Sequence, residues 1–263
     1  MTARQVAEMV ESWAPLSIQE PWDNAGFSVG LPQTEVKGVL ICLDVTPEVI
    51  EEAVTLGANM VISHHPLIFH PLKQLCGQDE VANMIAAAIK SNLVVYSSHT
   101  NADKVSTGVS GMMANMLNLQ EVEILSPDNE NTTGDLVGLG VVGNLPVPQE
   151  VLSFLQTVKR TFGLSCLRVG PITVPVIHRV AVCGGAGSSL ISKAIDSSAD
   201  IFLSGDMGYH HFFSTGGKMV VADMGHYESE IGITRKLANL LKEKNVTFTV
   251  SITKKNVNPI NYF

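Results

Sequence analysis

The feature that most constrains this chain is its repeated alternation of short apolar runs with amphipathic helical segments, which dictates strand–helix–strand units and largely parallel sheets. Apolar runs fall at 39–43, 59–62, 93–96, 122–125, 136–142, 167–169, 180–183, 201–203, 219–222 and 246–250. Between them, the spacing predicts helices over 47–56, 80–90, 108–117, from about 148, over 189–195 and, longest, over 226–244. Thr2 and Gln5 have the spacing of a capping box and open a first helix that runs to about Trp13. The fold class is therefore α/β.

The two halves of the chain resemble each other. Residues 39–70 slide onto 180–211 at a constant offset of 141 with seven identities in 32 positions, among them Val39/Val180, Cys42/Cys183, Ser63/Ser204 and His70/His211. Chance would give about two, so we read an old duplication that produced two similar lobes of strand–helix units. A polar stretch without periodicity, 126–134, reads as a linker and places the lobes at 1–126 and 127–263. The last helix or strand is free to return to the first lobe.

Three apolar strands run directly into polar residues able to bind metal. They are Met60-Val61-Ile62-Ser63-His64-His65-Pro66, the stretch from Val94 through His99 to Asp103, and the stretch from Val220 through His226 to Glu230. Ligands of open parallel sheets gather outside the carboxyl ends of strands, so all three clusters are expected along one sheet edge. His64 and His65 diverge from a single backbone point, which suits two metal ions better than one. His226 and Glu230, four apart on a helix, share a face, and a place near that helix's N-terminus favours the carboxylate. Asp103 adds an anionic oxygen, and a carboxylate can bridge ions roughly 3.5–4 Å apart. The expected ligands are thus His64, His65, Asp103, His226 and Glu230, holding two divalent ions per chain. Imidazole and carboxylate without thiolate suit Zn, Fe, Mn, Co or Ni. Three protein ligands per ion leave room for water, the mark of a catalytic site. His99 is read as a proton donor or substrate contact rather than a ligand.

Other features read as structural. His178 is a lone histidine. The 206–211 stretch, holding Asp206, His210 and His211, is the counterpart of the His64-His65 corner without its histidine pair. The glycine-rich turn 184–189 fits neither a dinucleotide fingerprint nor a P-loop and reads as a tight strand-to-helix turn. Neither a Gly-x-Ser-x-Gly elbow nor a His-Glu-x-x-His helix occurs, so serine hydrolase and zincin readings find no support.

Charge and composition narrow the partners. A formal net charge of −8 without a basic cluster opposes nucleic-acid binding. No apolar run approaches the roughly 20 residues of a membrane span, no export signal opens the chain, and the four cysteines are scattered. A cytoplasmic, soluble protein is expected.

Taken together, Trp22-Asp23-Asn24-Ala25-Gly26, Ser63-His64-His65-Pro66, His99-Thr100-Asn101-Ala102-Asp103, Gly225-His226-Tyr227-Glu228-Ser229-Glu230 and Asn258-Pro259 resemble one family. It is that of the GTP cyclohydrolase 1 type 2 homologues, also called Nif-three-like, and the likeness runs from about residue 20 to the C-terminus. The resemblance implies two interlinked α/β lobes, homohexameric rings and a dinuclear metal centre. It implies that His64, Asp103 and Glu230 hold one ion, and that His65, His226 and a bridging Glu230 hold the other. The short 126–134 linker is similar to that of members without an inserted domain. The function implied is metal-dependent hydrolysis of a small molecule, a nucleotide or related heterocycle, with His99 as acid–base or orienting group. From another class, the alternative is a non-catalytic, ring-forming metal-binding scaffold.

Overall fold

The structure, a computed structural model, describes residues 1–77, 79–128 and 136–263. In chain order the regular elements are α1 (Ala3–Glu11), β1 (Gly26–Val29), β2 (Gly38–Cys42), α2 (Pro47–Thr55), β3 (Met60–Ser63), α3 (Glu80–Lys90), β4 (Val94–Ser97) and α4 (Thr100–Lys104). There follow α5 (Val109–Met116), β5 (Gln120–Pro127), β6 (Gly138–Glu150), α6 (Val151–Phe162), β7 (Arg168–Val169), β8 (Val176–Ala186), α7 (Ile191–Asp196) and β9 (Ile201–Gly205). The chain ends with β10 (Val220–Asp223), α8 (His226–Glu230), α9 (Gly232–Glu243) and β11 (Thr249–Ile252). Its fold is mixed α/β with two sheets.

Two compact units divide these elements: Met1–Ala102 with Ile233–Val257, and Asp103–Gly232 with Asn258–Phe263. The chain leaves the first unit within α4 and returns to it at the start of α9. The linker expected over 126–134 begins on the end of β5, and its residues 129–134 lie outside the described residues.

In the first unit the strand order is β1-β4-β3-β2-β11. Strands β4, β3, β2 and β11 run parallel, and β1 closes one edge antiparallel to β4. Every residue of β2, β3 and β4 is buried, because a parallel strand covered on both faces reads as a continuous apolar run. Leu40, Val61 and Val95 pack there with Val49, Ile50 and Ala53 of α2 and Ile85 and Ala88 of α3. The start signals act as the sequence predicts. Thr2 accepts from the Gln5 N–H while Gln5 accepts from the Thr2 N–H, and Thr46 caps α2 ahead of Pro47.

In the second unit the order is β5-β6-β8-β9-β10-β7. Only β8, β9 and β10 are mutually parallel; β5, β6 and β7 pair antiparallel, so this sheet is mixed rather than largely parallel. Ala181, Phe202 and Val221 pack there with Ile191 and Ala194 of α7.

The internal resemblance survives as strand register. Val39, Leu40 and Ile41 of β2 face Met60, Val61 and Ile62 of β3, while Val180, Ala181 and Val182 of β8 face Ile201, Phe202 and Leu203 of β9. Both pairings are reproduced by the same shift of 141.

Two expectations are corrected. The polar clusters do not share one sheet: those at 63–66 and 97–103 follow β3 and β4 of the first sheet, whereas that at 223–230 follows β10 of the second. Strand pairing is non-local, so the sequence shows which strand ends carry ligands without showing which sheet each strand joins. The helix expected over 226–244 is two helices, α8 and α9, broken around Ile231 and Gly232, glycine being a poor helix former. Glu230 consequently ends α8, two residues ahead of the first residue of α9.

Candidate metal centre

The first unit gathers three histidines. His64 and His65 leave the end of β3, and His99 follows β4; their ring centroids lie 5.0 Å (His64–His65), 5.4 Å (His64–His99) and 5.5 Å (His65–His99) apart. Each ring is oriented through Nδ1. His64 Nδ1 lies 2.8 Å from the carbonyl oxygen of Ser98, His65 Nδ1 lies 2.7 Å from Asp44 Oδ1, and His99 Nδ1 lies 2.8 Å from Asp23 Oδ1. A carbonyl or carboxylate oxygen only accepts, so each Nδ1 carries a proton and donates, which turns Nε2 away from that bond. Ser63 Oγ donates to the backbone oxygen of His65, bracing that corner.

Asp23 is the most strongly organised carboxylate here. Burial raises its pKa, but hydrogen bonds from His99 and Thr100, with the His99 charge, outweigh burial and bring it down to about 2. The Thr100 N–H donates to Asp23 Oδ2, so one carboxylate holds both the His99 ring and the start of α4.

The second unit carries His226, Glu230 and Asp103. His226 Nδ1 lies 2.8 Å from Asp206 Oδ2, and its Nε2 lies 2.9 Å from Glu230 Oε2, one helical turn along α8. Glu230 is buried at 3% exposure. Burial first, then the charges of Asp103 and Glu230, push the thiol of Cys183 in β8 well above its ordinary range. The base of α8 is fixed from several sides. Asp223 accepts from the N–H of Met207 at 3.1 Å and of Gly225 at 3.0 Å, and Arg168 donates to it at 2.8 Å. Asn258 Nδ2 donates to Glu228 at 2.9 Å.

The glycine-rich turn has a packing role. Two of its amides are taken by hydroxyls, Gly185 N–H donating to Ser229 Oγ and Gly187 N–H to Ser204 Oγ. Gly185 has φ +61°, and a Cβ on it would overlap Glu230 Oε1. Only glycine lets this carboxylate lie against the turn.

His64, His65 and Glu230 are side chains able to hold a metal ion. A family model for Duf34/NIF3 (NGG1p interacting factor 3) matches residues 1–259. The chain belongs to the NIF3 family. It is 35% identical over 251 residues to a GTP cyclohydrolase 1 type 2 homolog of Nostoc, covering 92% of this chain and 93% of the relative. It is 33% identical to the protein of that name in Lactococcus lactis, covering 95% of each. In Drosophila melanogaster, NIF3-like protein 1 is 30% identical over 95% of this chain and 86% of its own. Among solved structures, a Bacillus cereus protein related to NIF3 superposes with a TM-score of 0.90 at 23% identity, covering 100% and 99% of the two chains, which shows the fold. Reduced HcgD from Methanocaldococcus jannaschii superposes with a TM-score of 0.81 at 27% identity over 97% and 98%.

In this NIF3 chain, sequence reasoning missed the carboxylates that orient the imidazoles. Asp44 follows β2 as His64 follows β3, and the same strand-end rule would have flagged it. Asp206, the counterpart of His65 in the duplicated corner, holds His226. Asp23 stood within the Trp22–Gly26 motif without an assigned role. His210 and His211 lie in the 209–213 turn, where His211 Nδ1 accepts from the Gly208 N–H, a local structural bond. His178 contributes its backbone N–H to Asp200.

Proposed function

We propose that the chain is a metal-dependent hydrolase of a small molecule, with two divalent ions held by His64, His65, Asp103, His226 and Glu230. One observation carries this reading. All three candidate ligand histidines donate Nδ1–H to a fixed oxygen, on Ser98, Asp44 and Asp206, the orientation that metal-binding imidazoles receive from their surroundings. The mixed imidazole and carboxylate donors suit Zn, Fe, Mn, Co or Ni. Following the family likeness, His64, Asp103 and Glu230 take one ion; His65, His226 and Glu230 take the other. When bound, such ions supply Lewis acidity and water ionised near neutral pH. The chain's own part in the chemistry falls to His99, whose Nδ1 is committed to Asp23 and whose Nε2 accepts and returns a proton.

The relatives' name, GTP cyclohydrolase 1 type 2 homolog, makes ring opening of a purine nucleotide the first reaction to test. The compartment we read is the cytoplasm, on four free cysteines; among the described residues no helix is long and apolar enough to cross a membrane. The test is a turnover screen of metal-loaded protein against nucleotides, phosphoesters and cyclic amides. Turnover of one class, abolished by chelation and reduced about 100-fold or more in His99→Ala, is expected. Silence across all three classes, with rapid metal exchange, supports the scaffold reading instead.

A further inference from the structure

Beside the three-histidine corner of the first unit lies an aromatic feature that metal binding does not use. Trp22 is 60% exposed and Phe69 is 47% exposed, unusual for rings that could each bury a large apolar surface. Their centroids are 5.9 Å apart, and each also meets His99, Trp22 at 6.1 Å and Phe69 at 6.2 Å. The interplanar angles of the three pairs are 56°, 74° and 75°, so no ring is stacked flat upon another.

The rings stand on braced loops. Asp23, next to Trp22, accepts from His99 and Thr100, and Asn24 Nδ2 donates at 2.7 Å to the backbone oxygen of Ile68, next to Phe69. The Ala25 N–H donates to Gln19 Oε1 at 3.0 Å. Two segments more than 40 residues apart in sequence are thereby tied so that both aromatic side chains flank His99. His99 in turn touches His64 and His65.

We propose that Trp22, Phe69 and His99 form a stacking subsite for the flat bicyclic heteroaromatic ring of the substrate. This deepens the hydrolase reading and rests on it for the word substrate. A π-faced guest is the ligand class because aromatic faces and edges hold planar rings in offset or edge-to-face contact without a matching set of hydrogen bonds. The guest is a small molecule because the rings adjoin His99, the residue assigned to proton transfer.

Calorimetric titration of the full chain tests this with guanosine 5′-monophosphate and ribose 5-phosphate, probes that share sugar and phosphate and differ in the base. Wild type is expected to prefer the base-bearing probe, Trp22→Ala to weaken its binding about 10-fold, and Trp22→Phe to restore most of it. Circular dichroism matching wild type confirms that Trp22→Ala folds. The preference is expected to persist after chelation, since the rings need no ion, so failure of the metal reading stays distinct from failure of the subsite. Equal binding of the two probes, no binding of the base-bearing probe, or unchanged affinity in Trp22→Ala overturns the proposal. So does a Trp22→Ala effect confined to the oligomeric state, which would make the rings an interface between copies of the chain.

Discussion

At His65 and His226 the same device recurs: a carboxylate, Asp44 or Asp206, accepts the hydrogen bond from Nδ1–H and fixes which nitrogen faces away. Both carboxylates are about half exposed, 49% and 48% by side chain, so their removal leaves packing intact. We expect Asp44→Ala and Asp206→Ala each to lower metal affinity about 10- to 100-fold with the melting temperature of the apo protein unchanged, as read by chelator competition and a thermal scan. Asp23 gives a pH prediction. Its pKa falls from 3.8 to about 2 on folding, so the folded state binds this proton less readily than the unfolded state. The stability it contributes is complete above 3.8 and disappears as pH falls through about 2. The stability advantage of wild type over Asp23→Asn should therefore hold near neutral pH and shrink across that acid window in denaturant titrations. The candidate ligands stood out in the sequence because each lies in a polar stretch that follows an apolar run. Their orienting partners did not, because a lone aspartate acquires its role only from what the fold places opposite it.

Among the elements, the shift of 141 residues was legible because it preserves the order strand, helix, strand, and the β2–β3 and β8–β9 registers follow it over three residue pairs before β8 shifts register after Val182. What the shift does not carry over is the histidine pair. Gly205 occupies the position of His64, and a Cβ there would come within 2.9 Å of the backbone of His226 and of the Gly185 oxygen. The second sheet has no room for a side chain at that corner, and its imidazole arises one strand later, after β10. The antiparallel strands β1 and β6 were harder to read. β1 is four residues after a Pro- and Gly-punctuated stretch, and antiparallel β6 extends to Glu150 through Pro146 and Pro148. In the second sheet, Phe202 of the interior strand β9 is fully buried. Phe202→Ala should destabilise the protein by about 3–5 kcal/mol in denaturant unfolding, far more than either carboxylate variant.

At the scale of the whole molecule, the chain forms two α/β units and passes between them three times, within α4, at the start of α9 and between Val257 and Asn258. The break between α8 and α9 was illegible because apolar periodicity continues across it, although the chain changes unit there. We propose that the protein assembles as a homohexamer, as its family likeness implies. Light scattering should then give six times the 28.2 kDa chain mass; the mass of a single chain would contradict it. The central claim is that imidazoles and carboxylates from distant stretches share a pair of ions through one carboxylate. Metal content by native mass spectrometry tests it most directly, on wild type and on Glu230→Ala. The account predicts about two divalent ions per wild-type chain and loss of both in the variant. A Glu230→Ala protein that still carries two ions would contradict it.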